Sequence, residues 1–277
     1  MRAHEPLRSR ILWLFCLIVL LTWTCAPLII MVSTSLKPPA EQLLSPPSIF
    51  PVNPVLDNYR DALGRSEFLR YLLNSLLIAT GTTIVALTIA SFATFGFTRV
   101  QFAGRRLLLV FVILGQVVPL AAIALPIYQI ASSLDLIDKL PFLVIAYLAI
   151  TLPVAVWLMR GYMSSIPREL EEAAEVDGCS PLGAFIRIVI PLSGPGLAAT
   201  AAYVFFLTWQ EFLFVLIFTT RPENRTLSVG IMDFVGQYET SWGNLMAASV
   251  LMAIPVILIF LLIQKKLISG LTEGALK

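Results

Sequence analysis

Catalysis and metal binding need side chains that hold protons, metals or electron pairs, and this chain has few of them placed to cooperate. Its one histidine, His4, stands in the N-terminal tail, which excludes histidine-based triads and metal sites. Three cysteines, Cys16, Cys25 and Cys179, make no disulfide framework and match no zinc spacing. Inside the apolar stretches one acid stands out, Glu211, in the segment Trp209-Gln210-Glu211. A charge at the bilayer centre costs about 2.5–3.5 kcal/mol on insertion scales, so such a carboxylate must face protein or water. Two roles suit it: hydrogen bonding across helices, or lining a polar path. The other concentration of charge lies in 164–190, where Glu169, Glu171, Glu172, Glu175 and Asp177 face only Arg168 and Arg187. That run is either a solvated acidic loop or a docking element.

The spacing within the acidic run predicts two short helices. Pro167 suits a first helical turn, with Glu169 and Glu171 behind it to complement the helix dipole. Leu170, Ala173, Ala174 and Asp177 fall at i, i+3, i+4 and i+7, a narrow face with two methyl-sized side chains. Gly178 can take the left-handed conformation that ends a helix. Ser180 then caps and Pro181 opens the next helix, whose apolar positions are Leu182, Phe185, Ile186 and Val189. A face as small as Ala173 and Ala174 can lie deep in a partner's groove, while the flanking carboxylates offer ion pairs.

The elements that must position these residues follow from composition. Charged residues are 13% of 277, against roughly 25% in soluble domains. Hydrophobic residues reach 58%, and a soluble fold could not cover that much apolar surface. A net charge of +2 leaves no basic footprint for nucleic acid. Six runs approach the roughly 20 apolar residues a membrane crossing needs: 11–33, 71–97, 107–131, 141–163, 194–219 and 247–268. The first is too long for the apolar core of a secretory signal and reads as an uncleaved helix. The expected fold is thus all-α, a polytopic bundle of six transmembrane helices, with residues 1–10 as a tail and 11–277 as a single membrane domain.

Six crossings put both termini on one side. Placing them inside collects twelve of the nineteen basic residues there, including Arg99, Arg105 and Arg106 in the short second loop, which has no acid. The positive-inside rule then makes the termini and the 164–191 loop cytoplasmic. The outer side holds a proline-rich first loop, 34–70, expected to be extended, with an interfacial helix or a plain connector over Leu56–Leu72. Loop 220–246, with Gly230, Gly236, Tyr238, Trp242 and Gly243, suits a folded outer loop. Ala86, Ala90 and Thr94 in the second crossing, and Gly194, Ala198 and Ala202 in the fifth, are small residues at four-residue spacing that let helices approach closely. Pro119, Pro126 and Pro153 predict kinks or unwound turns, tolerated only where protein or a cavity satisfies the freed carbonyls.

Glu172-Ala173-Ala174, three residues, Gly178, nine residues, then Ile188-Val189-Ile190-Pro191 resembles the E-A-A-x3-G-x9-I-x-L-P loop of ABC importer permeases, with Ile190 where Leu is usual. Trp209-Gln210-Glu211-Phe212-Leu213 is similar to the W-N-E-F segment of carbohydrate permeases of the maltose type, with Gln210 in place of Asn. Thr34-Ser35-Leu36-Lys37, Gly236-Gln237-Tyr238, Trp242-Gly243, Met246-Ala247-Ala248 and the tail from Gly270 to Ala275 resemble the smaller, six-span permease of those systems.

The resemblance implies a type I ABC importer permease that carries a sugar or related polyol. It implies as partners a second homologous permease, two ATPase subunits and an extracytoplasmic solute-binding protein, in the plasma membrane of a prokaryote. Glu172, Ala173, Ala174, Asp177, Gly178, Ile188 and Pro191 would form the coupling loop docked in an ATPase. Trp209, Gln210 and Glu211 form a translocation or interhelical polar site, in which Trp209 could also stack on a sugar face. No G-x-x-x-x-G-K-[ST] loop occurs, so ATP and magnesium are expected in the ATPase subunits and no cofactor or enzyme activity in this chain. An ion-gradient-driven secondary transporter is the alternative, but it would usually need several intramembrane ionisable residues and often an inverted repeat. A membrane-embedded enzyme is disfavoured by the lack of paired carboxylates in the spans. Mono-, di- and oligosaccharides, polyols and glycerophosphates all remain open as cargo.

Overall fold

The computed structural model describes residues 7–42, 44, 46, 48–65, 67–236 and 240–275. Arg2, His4, Pro47, Gln237, Tyr238 and Lys277 lie outside the described residues, as do the side chains of Arg8, Lys265, Lys266 and the tail from Gly270 to Ala275. The chain is all-α: among the described residues the only β pairing is an isolated bridge between Val235 and Thr240. Two compact units divide it, one of residues 1–68 and 231–254, the other of residues 69–230 and 255–277.

The first unit holds α1 (Leu7–Ser35), α2 (Pro39–Gln42), α3 (Asp57–Gly64) and the start of α14 (Trp242–Ala275). Its connecting loop is folded, not the extended stretch that six prolines suggest, because buried polar side chains take up the backbone groups that proline leaves unpaired. The Glu41 carboxylate accepts from the Val52 and Asn53 N–H groups, both at 2.9 Å, and the Lys37 ammonium donates to the Ser48 carbonyl. Asn58 donates to the carbonyls of Ser35 (2.8 Å) and Lys37 (2.9 Å), and the Ser35 hydroxyl meets that of Tyr59 at 2.7 Å. The Leu56–Leu72 segment is not one interfacial helix: α3 stops at Gly64 and a new helix starts at Phe68. Arg65, just past that stop, donates to the Asp233 carbonyl at 2.9 Å and lies 4.2 Å over the Phe234 ring. The last helix starts five residues earlier than the apolar run, at Trp242. There the Gly243 N–H donates to Gln42 at 2.8 Å, and a Cβ on Gly243 would stand 2.5 Å from Asn58 Oδ1.

The second unit holds α4 (Phe68–Arg99), α5 (Arg105–Leu114), α6 (Leu120–Ser133), α7 (Leu140–Ser164), α8 (Glu169–Val176) and α9 (Pro181–Ala184). A π-helical turn (Phe185–Val189) follows, then α10 (Ile190–Leu192), α11 (Gly194–Trp209), α12 (Leu213–Phe218) and α13 (Leu227–Gly230), with the remainder of α14. Among the described residues four helices, α1, α4, α7 and α14, are long and apolar enough to cross a membrane alone, and the bent pair Pro181–Leu192 with Gly194–Trp209 makes a fifth if it is one span. The stretches expected as third and fifth crossings are each interrupted, so helix length and composition support four to five of the six expected crossings among the described residues. Gly115 to Pro119 divides the third into α5 and α6, because proline supplies no N–H and crowds the preceding turn. The fifth stops at Trp209 and resumes at Leu213. Below it, Pro181–Leu192 meets Gly194–Trp209 at 74°, a bend flanked by Pro191, Gly194 and Pro195. Pro126 and Pro153 lie inside continuous helices.

Packing in this unit centres on α7. The small stripe of α4 is buried: Ala86, Ala90 and Thr94 are fully covered, and the alanines join Ala155, Val156, Met159 and Met163 of α7 in one core. On α11 the covered stripe at four-residue spacing is Gly196, Thr200, Val204 and Thr208, while Gly194, Ala198 and Ala202, the stripe expected from spacing, are only half-buried. The two stripes are two residues out of phase, and the glycine that matters is the one facing α7. A Cβ on Gly196 would sit 2.4 Å from Tyr162 Cγ, so only glycine lets the helices meet there. At the α6–α7 corner Asp138, at φ 62°, accepts from the N–H groups of Thr220 (2.8 Å) and Arg221 (2.9 Å) and from the Thr220 hydroxyl.

Two outcomes are expected. Gly196→Val should destabilise by about 1–3 kcal/mol through overpacking, read as a lower melting temperature in detergent, with Tyr162→Ala in the same chain recovering part of it. Hydrogen bonds from the N–H groups of Val52, first, and of Asn53 hold the Glu41 carboxyl below the ordinary carboxylate range. A depressed folded value makes the contribution complete above the unfolded value near 4.3 and lost as pH falls through the folded one. The protection of the Val52 and Asn53 amides, taken relative to the intrinsic exchange rate at each pH, should therefore fall in acid, and Glu41→Gln should already show lower protection at neutral pH.

Candidate functional site

The segment between α7 and α11 is built from its ends inward. Helix α8 begins at Glu169, two residues after Pro167, so the proline precedes the helix and does not open its first turn. Glu169, Glu171 and Glu172 occupy that first turn, where the positive end of the dipole favours them. At the far end the Cys179 N–H donates to the Ala174 carbonyl (2.9 Å) and the Gly178 N–H to that of Glu175 (3.0 Å). This is the pair of hydrogen bonds of a Schellman termination, and it requires the φ of 93° that Gly178 adopts. Ser180 then accepts from the Gly183 N–H at 3.1 Å and Pro181 opens α9.

The face expected to be presented outward is divided. Ala174 is covered by its own chain, with Glu171 beside it one turn back, whereas Leu170, Ala173 and Asp177 are exposed and Val176 is 88% exposed. The short helix needs an inner anchor, and positions i and i+3 on the Glu171 side supply it. Glu172 and Gly178 are exposed, Ile188 is half-buried and Pro191 is exposed. In the second half, Phe185 and Val189 are buried while Leu182 and Ile186 stay about half exposed. The Phe185 ring lies 4.6 Å from that of Phe95 and 5.8 Å from that of Phe92, both on α4.

Sequence reasoning missed the group that anchors this segment. Arg99, the last residue of α4, brings Nε within 2.6 Å of Glu171 Oε1, with the two side chains 11% and 10% exposed. The contact is an ion pair by distance and not an aligned hydrogen bond. Arg99 Nη2 also donates to the carbonyls of Met163 (3.3 Å) and Ile166 (3.1 Å) at the end of α7, and Arg168 donates to the Thr98 carbonyl. The available sequence signal was an arginine closing a long apolar helix and a second glutamate beside Glu172.

The Trp209-Gln210-Glu211 segment is the break between α11 and α12. Glu211 is 8% exposed. Its carboxylate accepts from the Phe214 N–H at 3.0 and 3.1 Å, capping α12, and from the Tyr147 hydroxyl of α7 at 2.8 Å. Its carbonyl accepts from Ser228 at 2.6 Å, next to α13 backbone that Ser75 of α4 holds through the Leu227 N–H at 2.8 Å. Trp209 is 3% exposed with its ring stacked on Phe205, so no open face is offered to a solute, and Gln210 is exposed at the end of α11. Tyr147 and Ser228 are partners that spacing did not point to, since they lie 64 and 17 residues away.

An all-α chain with several apolar helices, a capped polar helix between two of them and a break closed by a buried carboxylate is a multi-pass membrane protein. Residues 86–272 match the family described as binding-protein-dependent transport system inner membrane component, and the chain belongs to that family. It is 36% identical over 277 residues to the trehalose/maltose transport system permease protein MalG of Thermococcus litoralis, covering 99% of each chain. It is 34% identical over 260 residues to the diacetylchitobiose uptake system permease protein DasC of Streptomyces coelicolor, covering 94% of each. Its fold is similar, at a TM-score of 0.80 and 20% identity over 94% of this chain and 98% of the other, to a chain in a crystal structure of a bacterial ABC transporter involved in import of the acidic polysaccharide alginate. Membership decides among the three functional readings: the chain is a transport subunit of a binding-protein-dependent ABC importer, neither an enzyme nor a gradient-driven carrier.

Glu211→Ala should cost about 1–3 kcal/mol, because it strips a cap and leaves buried groups of Tyr147 and Phe214 unpaired. Tyr147→Phe should cost less, and a double-mutant cycle on thermal stability should show coupling between the two. Additive losses would mean that the 2.8 Å contact is energetically idle.

Proposed function

We propose that this chain is one of two homologous permeases in an importer for a sugar or related polyol. An extracytoplasmic binding protein delivers the cargo, and two ATPase subunits, which hold ATP and magnesium, drive its passage. Relatives named for trehalose/maltose and diacetylchitobiose, matched across nearly their whole length, support the carbohydrate class. The chain lies in a prokaryotic plasma membrane with both termini cytoplasmic, on the strength of the twelve-to-seven asymmetry of basic residues. Lipid covers helix α1, whose apolar window has no part buried inside the chain.

The observation that carries the coupling role is the outward side of α8. Leu170, Ala173 and Val176 stand exposed on a helix that is fastened along its opposite side and ended by Gly178. An apolar, low-relief face with Glu169, Glu172 and Asp177 around it fits a groove in the ATPase. Ile188 and Pro191 carry the segment into the 74° bend at the foot of α11. ATP shifts the transporter between inward- and outward-facing states only through contacts that differ between them, and α8 is the element through which such a difference reaches the membrane helices. Glu211 is read as an interhelical joint, and the exposed Gln210 beside it is the part of that segment free to meet solute.

Ala173→Arg places a long charged chain on the docking face. In liposomes holding the assembled transporter, sugar uptake and binding-protein-stimulated ATP hydrolysis should both fall by about tenfold or more, with normal membrane levels of the chain. Gly178→Pro, which cannot reach a φ of 93° and lacks the N–H bonded to Glu175, should do the same. Unchanged rates in both variants would refute the coupling role.

A further inference from the structure

Three helix termini converge on one guanidinium. Arg99 closes α4; its Nη2 donates to the Met163 and Ile166 carbonyls at the end of α7; its Nε faces Glu171 in the first turn of α8 at 2.6 Å. Carbonyls at a helix end attract a cation, and the start of a helix favours an acid, so each contact follows the local dipole. Both side chains are about nine-tenths buried, and a buried ion pair resists separation because either charge alone would be left desolvated. Two further attachments run parallel to it. Arg168 donates to the Thr98 carbonyl, and Phe185 packs between Phe92 and Phe95. All of them join the 164–191 segment to the same end of α4.

We propose that the Arg99–Glu171 pair is a strut that makes α8 and the end of α4 one mechanical body, so that a push on α8 enters the bundle through α4 as well as through the bend into α11. Glu171 is a positioning residue: it faces inward, away from the exposed side at Ala173, and acts through Arg99. Covalent continuity already links α8 to α7 and, through α9 and α10, to α11. Helix α4 ends 70 positions before α8 begins (Arg99 to Glu169) and would otherwise have to follow through the Arg168–Thr98 hydrogen bond and apolar contacts. The inference rests on the coupling reading of α8.

The test uses the assembled transporter in lipid nanodiscs, with Cys16, Cys25 and Cys179 replaced by Ser and spin labels on cysteines introduced at Ile84 of α4 and Glu175 of α8, both exposed. Double electron–electron resonance reports the separation without nucleotide and with ATP plus vanadate. The strut predicts one narrow distribution with the same mean in both states. Glu171→Gln should broaden it about twofold, and Glu171→Asp, which keeps the charge, should broaden it less. A shift in the unsubstituted pair by about one helical turn, near 5 Å, would overturn the strut. So would a Glu171→Gln distribution identical to it. Failure of both Glu171→Gln and Arg99→Lys to co-purify with the ATPase would mark the pair as a folding element instead, and would also overturn it. The docking reading has its own readout: a cysteine at Ala173 should lose maleimide reactivity on assembly with the ATPase, and unchanged reactivity would defeat that reading whatever the distances.

Discussion

A backbone N–H or C=O that leaves a helix inside hydrocarbon finds no water, so each interruption must be satisfied by the protein itself. This chain interrupts its apolar helices repeatedly, at Gly115–Pro119, at Gln210–Phe212 and at the bend near Ser193. Glu211 shows how the requirement is met: one carboxylate ends the break by taking the Phe214 N–H and ties it to α7 through Tyr147. The cost of placing an acid in the membrane is offset because its acceptors are occupied. An anchor would have no use for such breaks; a bundle that must change shape around a path does.

The same economy of polar groups governs the segment between α7 and α11. Its inner side is held by a buried ion pair, carbonyl contacts and an aromatic cluster on α4, and its outer side is left smooth. Fastening one side and exposing the other is what a force-bearing contact needs, since a loosely held helix would absorb a push by tilting. Gly178 and Ser180 confine the helix to two turns, so its exposed face is short and its orientation defined.

Much of this was legible in the sequence because it depends on neighbours along the chain. The end of α8 at Gly178 and the cap at Ser180 rest on residues within five positions of one another, and propensity and hydrogen-bonding reach are enough to read them. The broken third stretch was foreshadowed by Pro119. The phase of the α11 stripe was not legible, because Gly194, Ala198 and Ala202 have the same spacing as Gly196, Thr200 and Val204, and only the position of Tyr162 chooses between them. The face of α8 failed for a related reason: Ala173 and Ala174 look equivalent until the packing of α9 and the π-helical turn against α8 leaves one of them covered.

The sequence by itself determined the solvent this protein lives in, its family and the local ends of its helices, since composition and short-range spacing are properties of the chain alone. Tertiary structure decided which glycine sits at a close approach, which alanine faces inward, and that Arg99 meets Glu171 and Glu211 meets Tyr147. Those pairings join residues 72 and 64 positions apart, and no local rule selects partners over such separations. They exist because desolvated charges and hydroxyls, carried into the interior by the apolar faces around them, had to find one another there.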